Sequence, residues 1–277
     1  MTTSTPENRL RSALEALSGH SPLVHCITNT VVQQITADVL LAIGAAPAMV
    51  DHPQEAPVFA AAADALLVNT GTVAEGQVQA MPAAARAARD AGRPWVLDPV
   101  AVGSLPVRTP LAHELLTLGP AAVRGNASEI AALAGTGGGG RGVDSTDTVE
   151  AVLDAARDLS ARTGAVVAVS GERDAIVSAG RTTVLTSGDA LLARVIGTGC
   201  ALGATCAALL GSSRDTDLTP HDAVLAAHAL HGAAGTLAAR EAQGVGSFAV
   251  GWLDALDTLT PADVLELVGL QEQAAPA

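Results

Sequence analysis

The segment ALLVNTGTVAEGQVQAMPAAARAARDAGRPWVLDP, residues 65–99, decides how this chain is read. An apolar run, ALLVNTG at 65–71, gives way to an alanine-rich stretch around 77–92 and then to a second apolar run, PWVLDP at 94–99. Strand, helix and strand in that order make a βαβ unit. Both strands are apolar throughout rather than alternating, which belongs to a parallel sheet covered on both faces. The rhythm recurs on either side. LVHCI (23–27), APAMV (46–50), AAVRGN (121–126) and AVVAVSG (165–171) read as strands. TVVQQITADVLLAIG (30–44), TPLAHELLTLG (109–119) and STDTVEAVLDAARDLSARTG (145–164) read as helices. Thr5-Pro6 has the pattern of an N-cap followed by proline in the first turn, starting a helix that reaches about Leu17. DAIVSAGRTTVLTSG (174–188) reads as a β-hairpin turning at Ala179-Gly180. VIG at 195–197 reads as a strand end, the chain from Cys200 onward as almost wholly helical, and the glycine run GTGGGGRG (135–142) as a surface loop. With no linker and no internal repeat, the expectation is one α/β domain over residues 1–277, a mostly parallel sheet with helices on both faces and no separate lid domain.

Composition narrows the function. Hydrophobic residues make up 49 % of the 277 and charged ones 16 %, with no tyrosine, two tryptophans and two phenylalanines. The core is therefore alanine, valine and leucine, which favours close packing of helix on sheet. A formal charge of −13 and few aromatics exclude a nucleic-acid groove, which needs a basic stripe and stacking rings. All fifteen basic residues are arginine. That removes the P-loop lysine, the Schiff-base lysine and the protein-kinase lysine. Any nucleotide must be held by backbone and arginine. Three unpaired cysteines, Cys26, Cys200 and Cys206, suit a reduced cytoplasmic protein. MTTSTPENRLRS lacks a signal core, and the apolar run from Val39 to Val50 is broken by Gly44 and Pro47, so neither secretion nor a membrane span is expected.

Ligands of such sheets bind beyond the carboxyl ends of the strands. Asn69, Thr70, Asp98, Arg124, Asn126, Ser170 and the turn Gly197–Cys200 all fall there. GTGC (197–200) opens an alanine-rich helix, so the amides of Gly197, Thr198, Gly199 and Cys200 can form an anion hole. The helix start should also lower the pKa of the Cys200 thiol. The alternative is a tight turn with a small buried cysteine. NASE (126–129) is a capping box by pattern. Asp98 reads either as a turn former or, with Glu129, as one of two carboxylates holding a hydrated Mg²⁺. Arg124 is a surface arginine or a phosphate clamp. His221, His228 and His231 lack partners at metal-ligand spacing and read as helix surface; Cys206 reads as packing.

VHCITNTVV (24–32), LLAIGAAPAM (40–49), LLVNTGT (66–72), LDPVAVG (97–103), VRGNASEI (123–130), GTGC (197–200) and GVGSFAVGWLDAL (244–256) together resemble the hydroxyethylthiazole kinase family, in order, from about residue 20 to 260. The resemblance implies a ribokinase-like α/β fold and a thiamine-salvage reaction. In it, ATP phosphorylates the hydroxyl of 4-methyl-5-(2-hydroxyethyl)thiazole, with Mg²⁺ as cofactor. It implies nucleotide contacts at Arg124 and Ser170 and thiazole contacts at Met49 and the Gly197 backbone. It further implies Mg²⁺-side carboxylates at Asp98 and Glu129, and Cys200 where sugar-kinase relatives carry a catalytic aspartate. A homotrimer with active sites between subunits is also implied. Two departures stand out: Ala101 where many relatives have glycine, and Ser187-Gly188-Asp189 where Asn-Gly-His is commoner. The rival readings are a dehydratase that repairs hydrated nicotinamide nucleotides, a kinase of the pyrimidine arm of thiamine synthesis, and a non-catalytic sensor. Cys200 speaks against the first, since that chemistry uses aspartate in the same slot.

Overall fold

The computed structural model describes residues 5–136 and 149–274. Its strands are β1 (Leu23–Ile27), β2 (Ala46–Ala48), β3 (Ala65–Asn69), β4 (Trp95–Asp98), β5 (Ala122–Asn126), β6 (Val166–Ser170), β7 (Asp174–Ser178), β8 (Arg181–Thr186) and β9 (Gly269–Ala274). The helices are α1 (Pro6–His20), α2 (Gln33–Ala42), α3 (Ala56–Ala62), α4 (Glu75–Asp90), α5 (Arg108–Leu116), α6 (Ala127–Ala134), α7 (Val149–Thr163), α8 (Thr198–Ser212), α9 (Pro220–Ala239), α10 (Val245–Thr258) and α11 (Pro261–Leu267). All nine strands join one sheet in the order β2-β1-β3-β4-β5-β6-β7-β8-β9. The first six run parallel and the last three add antiparallel.

Alternation of side chains across the pleat divides the core into two layers. In β3, Leu67 faces one layer and Leu66 and Val68 the other; in β4, Val96 and the pair Trp95 and Leu97 divide the same way. Helices α1, α2, α8, α9, α10 and α11 fill the first layer, and α3 to α7 the second. The β7–β8 hairpin turns at Ala179-Gly180 as its sequence predicts, with Ser178 paired to Arg181 and Gly180 in the left-handed region at φ +73°.

Three expectations are corrected. The chain after Cys200 is not almost wholly helical: GLQEQA returns as β9 and pairs with β8 from Thr186↔Gly269 to Arg181↔Ala274. VIG at 195–197 is not a strand end. A 3-10 turn over Ala190–Arg194, capped by Asp189 accepting from the Leu191 N–H at 2.9 Å, precedes it instead. The β2 strand ends at Ala48, before Met49. Residues 137–148, which include most of the expected glycine loop and the first residues of the expected helix 145–164, lie outside the described residues.

Asp222 ties distant parts together. Its side chain is fully buried at the first turn of α9, 2.8 Å from Arg9 Nη2 of α1 and 2.7 Å from Arg181 Nη1 of β8. Arg181 in turn reaches Glu272 of β9 at 3.0 Å. Burial alone would push the Asp222 carboxyl up, but hydrogen bonds from Thr219 and Arg181 outweigh it and hold the pKa down to about 2. Charged hydrogen bonds are worth about 1.5–3 kcal/mol each, so Asp222→Ala is expected to cost roughly 3 kcal/mol or more in urea unfolding at pH 7. The folded pKa is depressed, so this contribution is present above about pH 4 and is lost as pH falls toward 2. A deficit of equal size at pH 7 and pH 2 would contradict the assignment.

Candidate active site

From β1 the chain crosses to β2 on one side, and β3 lies on the other side of β1. The carboxyl ends of β1 and β3 therefore flank a crevice where the winding reverses, the place such sheets bind ligands. Asn29, just beyond β1, and Asn69, the last residue of β3, meet there. Asn29 Nδ2 donates to Asn69 Oδ1 at 3.1 Å and to Cys200 Sγ at 3.4 Å. Asn69 Nδ2 donates to Asp98 Oδ2 at 2.7 Å, and the Gly71 N–H to Asn69 Oδ1 at 3.0 Å. Asn69 and Asp98 are register partners on β3 and β4, which sets them side by side.

The chain of contacts continues to β5. Arg124 Nη1 lies 3.8 Å from Asp98 Oδ2, and Arg124 Nη2 donates to Ser170 Oγ at the end of β6 at 3.0 Å. A Cβ built on Gly199 would stand 3.1 and 3.2 Å from Arg124 Nη1 and Nη2. The guanidinium therefore lies against the first turn of α8. There Ala201 is the first residue whose N–H closes back, onto the Gly197 carbonyl at 2.8 Å. The amides of Thr198, Gly199 and Cys200 consequently point out of the helix start. Gly197 sits at φ +94°, and a Cβ on it would run into Ile35 and Val32, so glycine is required for this turn. Thr198 Oγ1 is committed elsewhere, donating to the carbonyls of Leu192 and Val195 at 2.9 and 3.2 Å.

The structure forms the NASE capping box: Asn126 Oδ1 accepts from the Glu129 N–H and Glu129 Oε2 from the Asn126 N–H, both at 2.9 Å. Glu129 does more than cap. Its Oε1 accepts from the Ala101 N–H at 2.9 Å, fixing the loop after Asp98. Ala101 holds φ +59°, a left-handed conformation that explains why glycine suits this position. Asp98 Oδ1 is buried with no hydrogen-bond partner among the described residues. No cluster of three or more metal-ligating side chains is found among them. Two neighbouring carboxylates, one with an uncommitted oxygen, fit a Mg²⁺ ion that keeps most of its water.

Burial dominates the electrostatics. It pushes the Asp98 carboxyl up to about 7, with Arg124 opposing and Glu129 adding to the rise. For Arg124 burial opposes the charge, but Asp98 and Glu129 outweigh it and hold the guanidinium more firmly protonated than free arginine. The expected lowering of the Cys200 thiol is overturned. Burial, reinforced by Asp98, pushes it up to about 11, with Arg124 and the hydrogen bonds of Asn69 and Asn29 opposing.

Met49 lies one residue past β2, two strands away from Asn69, and no hydrogen bond joins it to the network. Its segment is pinned by His25 of β1, whose Nε2 donates to the Val50 carbonyl at 2.6 Å. Burial lowers the pKa of His25, so the ring is neutral. The three α9 histidines are not surface residues. His221 contacts Ser178 Oγ and Thr183 Oγ1 at 2.8 and 2.9 Å, His228 contacts Asp174 at 2.6 Å, and His231 contacts Thr205 at 2.8 Å, all three buried. Cys206 is buried packing, as expected. Asn69, expected at a strand end, is where its sequence predicts; Asn29 is the functional candidate the sequence does not single out, its only signal being an asparagine just past a strand end.

The fold is ribokinase-like: a ribokinase-like superfamily protein from Enterococcus faecalis superposes with a TM-score of 0.65 at 16 % identity. A pyridoxal kinase from Staphylococcus aureus in complex with ADP superposes with a TM-score of 0.61 over 91 % of this chain and 98 % of that one, at 15 % identity, a likeness of fold alone. Residues 14–262 match the model of the hydroxyethylthiazole kinase family, and the chain belongs to that family. A hydroxyethylthiazole kinase of Corynebacterium glutamicum (strain R) is 56 % identical over 96 % of this chain and 99 % of its own length. One from Klebsiella pneumoniae (strain MGH 78578) is 55 % identical over 91 % of this chain and 95 % of its own. The hydroxyethylthiazole kinase structure from Pyrococcus horikoshii OT3 matches with a TM-score of 0.86 at 33 % identity, covering 95 % of this chain and 98 % of that one.

Alkylation of Cys200 by iodoacetamide, followed peptide by peptide, is expected to be slow at pH 8 and to rise with a midpoint near 11. Asn29→Ala removes a hydrogen bond that stabilises the thiolate and should move the midpoint higher. A midpoint below the ordinary thiol value, about 8.5, would overturn the electrostatic picture.

Proposed function

We propose that this chain transfers the γ-phosphoryl group of ATP to the hydroxyl of 4-methyl-5-(2-hydroxyethyl)thiazole, residues 1–277 acting as one cytoplasmic kinase domain. Membership of the family supports the reaction. The observation that carries the site is the Arg124 guanidinium, fixed between Asp98 and Ser170 over the open amides of α8. Arg124 and Ser170 bind the nucleotide phosphates, and the amides of Gly197, Thr198, Gly199 and Cys200 receive the oxygens of the transferring group. Asp98 and Glu129 hold the hydrated Mg²⁺ beside them; bound there, it neutralises phosphate charge. Met49 and the Gly197 backbone contact the thiazole, the methionine closing on the ring without hydrogen-bonding it.

Cys200 sits beside the acceptor hydroxyl as the catalytic residue. A thiol held neutral takes little part in early proton removal. Phosphoryl transfer through a loose transition state needs little, because the hydroxyl becomes acidic as its bond to phosphorus forms. The hydroxyl O–H breaks late, as the O–P bond forms, and its proton passes to Sγ in the minor thiolate form, which Asn29 orients and stabilises by donating to it.

We also infer a homotrimer with active sites between subunits. Its support is exposed apolar surface at the mouth of the site, where Val31 and Ile196 are 63 % and 72 % exposed. A thiazole pocket completed by a neighbour makes specific activity fall on dilution. Light scattering that finds a fully active monomer would contradict the assembly.

Turnover with ATP, Mg²⁺ and the thiazole alcohol tests the reaction, and its absence in folded protein sinks it. Arg124→Ala removes a charge-assisted contact worth roughly 1.5–3 kcal/mol, so KM for ATP should rise about tenfold or more with thiazole affinity little changed. Cys200→Ala should lower kcat by about 10²-fold or less, and Cys200→Asp should keep or raise it. Full activity in the alanine variant, or a dead aspartate variant that still folds and binds ATP, would remove Cys200 from the chemistry.

A further inference from the structure

Helix α9 carries two buried histidines that the proposed chemistry does not use, and both reach elements of the nucleotide site. His228, 1 % exposed, faces Asp174 at the start of β7, with Nδ1 2.6 Å from Oδ2. A carboxylate accepts and cannot donate, so Nδ1 carries the hydrogen and donates it. The other oxygen of Asp174, Oδ1, accepts from the Gly171 N–H at 2.9 Å. Gly171 directly follows Ser170, whose hydroxyl accepts from Arg124 Nη2 at 3.0 Å. Strands β6 and β7 pair antiparallel up to Val169↔Ala175, so the register brings Asp174 opposite Ser170. One turn further along α9, His231 meets Thr205 of α8 at 2.8 Å. A single helix therefore holds the turn behind Ser170 and the helix whose start bears the open amides.

The imidazole has one polar task. His228 Nε2 is buried with no hydrogen-bond partner among the described residues, which leaves the contact with Asp174. Burying a polar ring costs free energy that its hydrogen bonds must offset, and here the offset comes from the bond that holds the turn. The turn has little slack. A Cβ built on Gly171 would stand 2.6 Å from Val149 Cγ2 of α7, so the chain cannot shift toward that helix. Asp174 also acts on the clamp directly: against the cost of burial, it joins Asp98, Glu129 and Cys200 in keeping Arg124 protonated.

We propose that His228 is a positioning residue of the nucleotide site: through Asp174 it fixes the turn after Ser170, and so the hydroxyl against which Arg124 is set to receive phosphate. This rests on the reading of Arg124 and Ser170 as nucleotide contacts. Calorimetry with ATP and Mg²⁺, and separately with the thiazole alcohol, tests it in two variants. His228→Leu fills the space of the ring but cannot donate. His228→Asn keeps an N–H on the atom bonded to Cγ, where Nδ1 stands, but leaves a void. A packing role makes asparagine the worse variant; a positioning role makes leucine the worse, and for ATP alone. The leucine variant should bind ATP about fivefold or more weakly with thiazole affinity unchanged, and the asparagine variant should stay within about twofold of the native chain. In a Ser170→Ala background the leucine penalty should largely vanish, because the hydroxyl being placed is gone. ATP affinity indifferent to Ser170→Ala would overturn the reading of the site and this role with it. Where Ser170→Ala does weaken ATP, the role of His228 alone fails on any of three results: equal ATP affinity in the two variants, an equal loss for the thiazole, or a penalty undiminished in the alanine background. Urea unfolding supplies the last control, since ATP affinities that merely follow the stability of the variants would also overturn it.

Discussion

Helix α8 lies on β1, β3 and β4, with glycines at the closest approach. A Cβ on Gly203 would stand 3.1 Å from Leu67 Cδ1 and 3.3 Å from Asp98 Oδ2. Any larger residue would lift the helix off the sheet and carry its first turn away from the crevice. Thr205, whose hydroxyl donates to the Ala201 carbonyl at 3.1 Å and meets His231 of α9 at 2.8 Å, is satisfied within the helical layer. Close approach is what brings Cys200 within reach of Asn29 and sets Arg124 over Gly199. An aromatic-poor composition is thus a condition of the site as much as of the core.

The same closeness governs the proton chemistry. Burial raises the pKa of Asp98 to about 7 and of Cys200 to about 11, while Arg124 is held protonated beside them. Ionisation of Asp98 is thus harder in the folded chain than in the unfolded one. Its burial costs stability progressively as pH rises from about 4, where the unfolded carboxyl titrates, to about 7. A site built from arginine alone cannot shed positive charge at any working pH. Sensitivity to pH is therefore concentrated in one carboxyl.

Much of the architecture is legible in the sequence because it is local. Apolar runs alternating with alanine-rich helices give the parallel sheet, and Ala179-Gly180 gives the hairpin. The strand β9 is not legible: GLQEQA has neither β-branched nor aromatic residues, and it is a strand only because β8 offers an edge. The α9 histidines mislead for the same reason. Their partners Ser178, Thr183, Asp174 and Thr205 come from other elements, which no local pattern reveals. Of the site, the residues at β4, β5 and β6 ends and the GTGC turn are legible and are brought together. The thiol's pKa is not, since it depends on how deeply the turn is buried. Asn29 escapes because an asparagine just past a strand end resembles any turn former.

The clasp through Asp222 has a consequence for how the chain is made. Arg9 is made well before Arg181, and Glu272 only well after it. While β9 is still in the exit tunnel, β8 presents an unpaired strand edge, the kind that invites pairing with another chain. The nascent protein therefore passes through a stage in which most of its sheet can form but its margin is open. Closing that margin is left to six residues with little strand tendency of their own, so protection against misassembly waits until they have emerged.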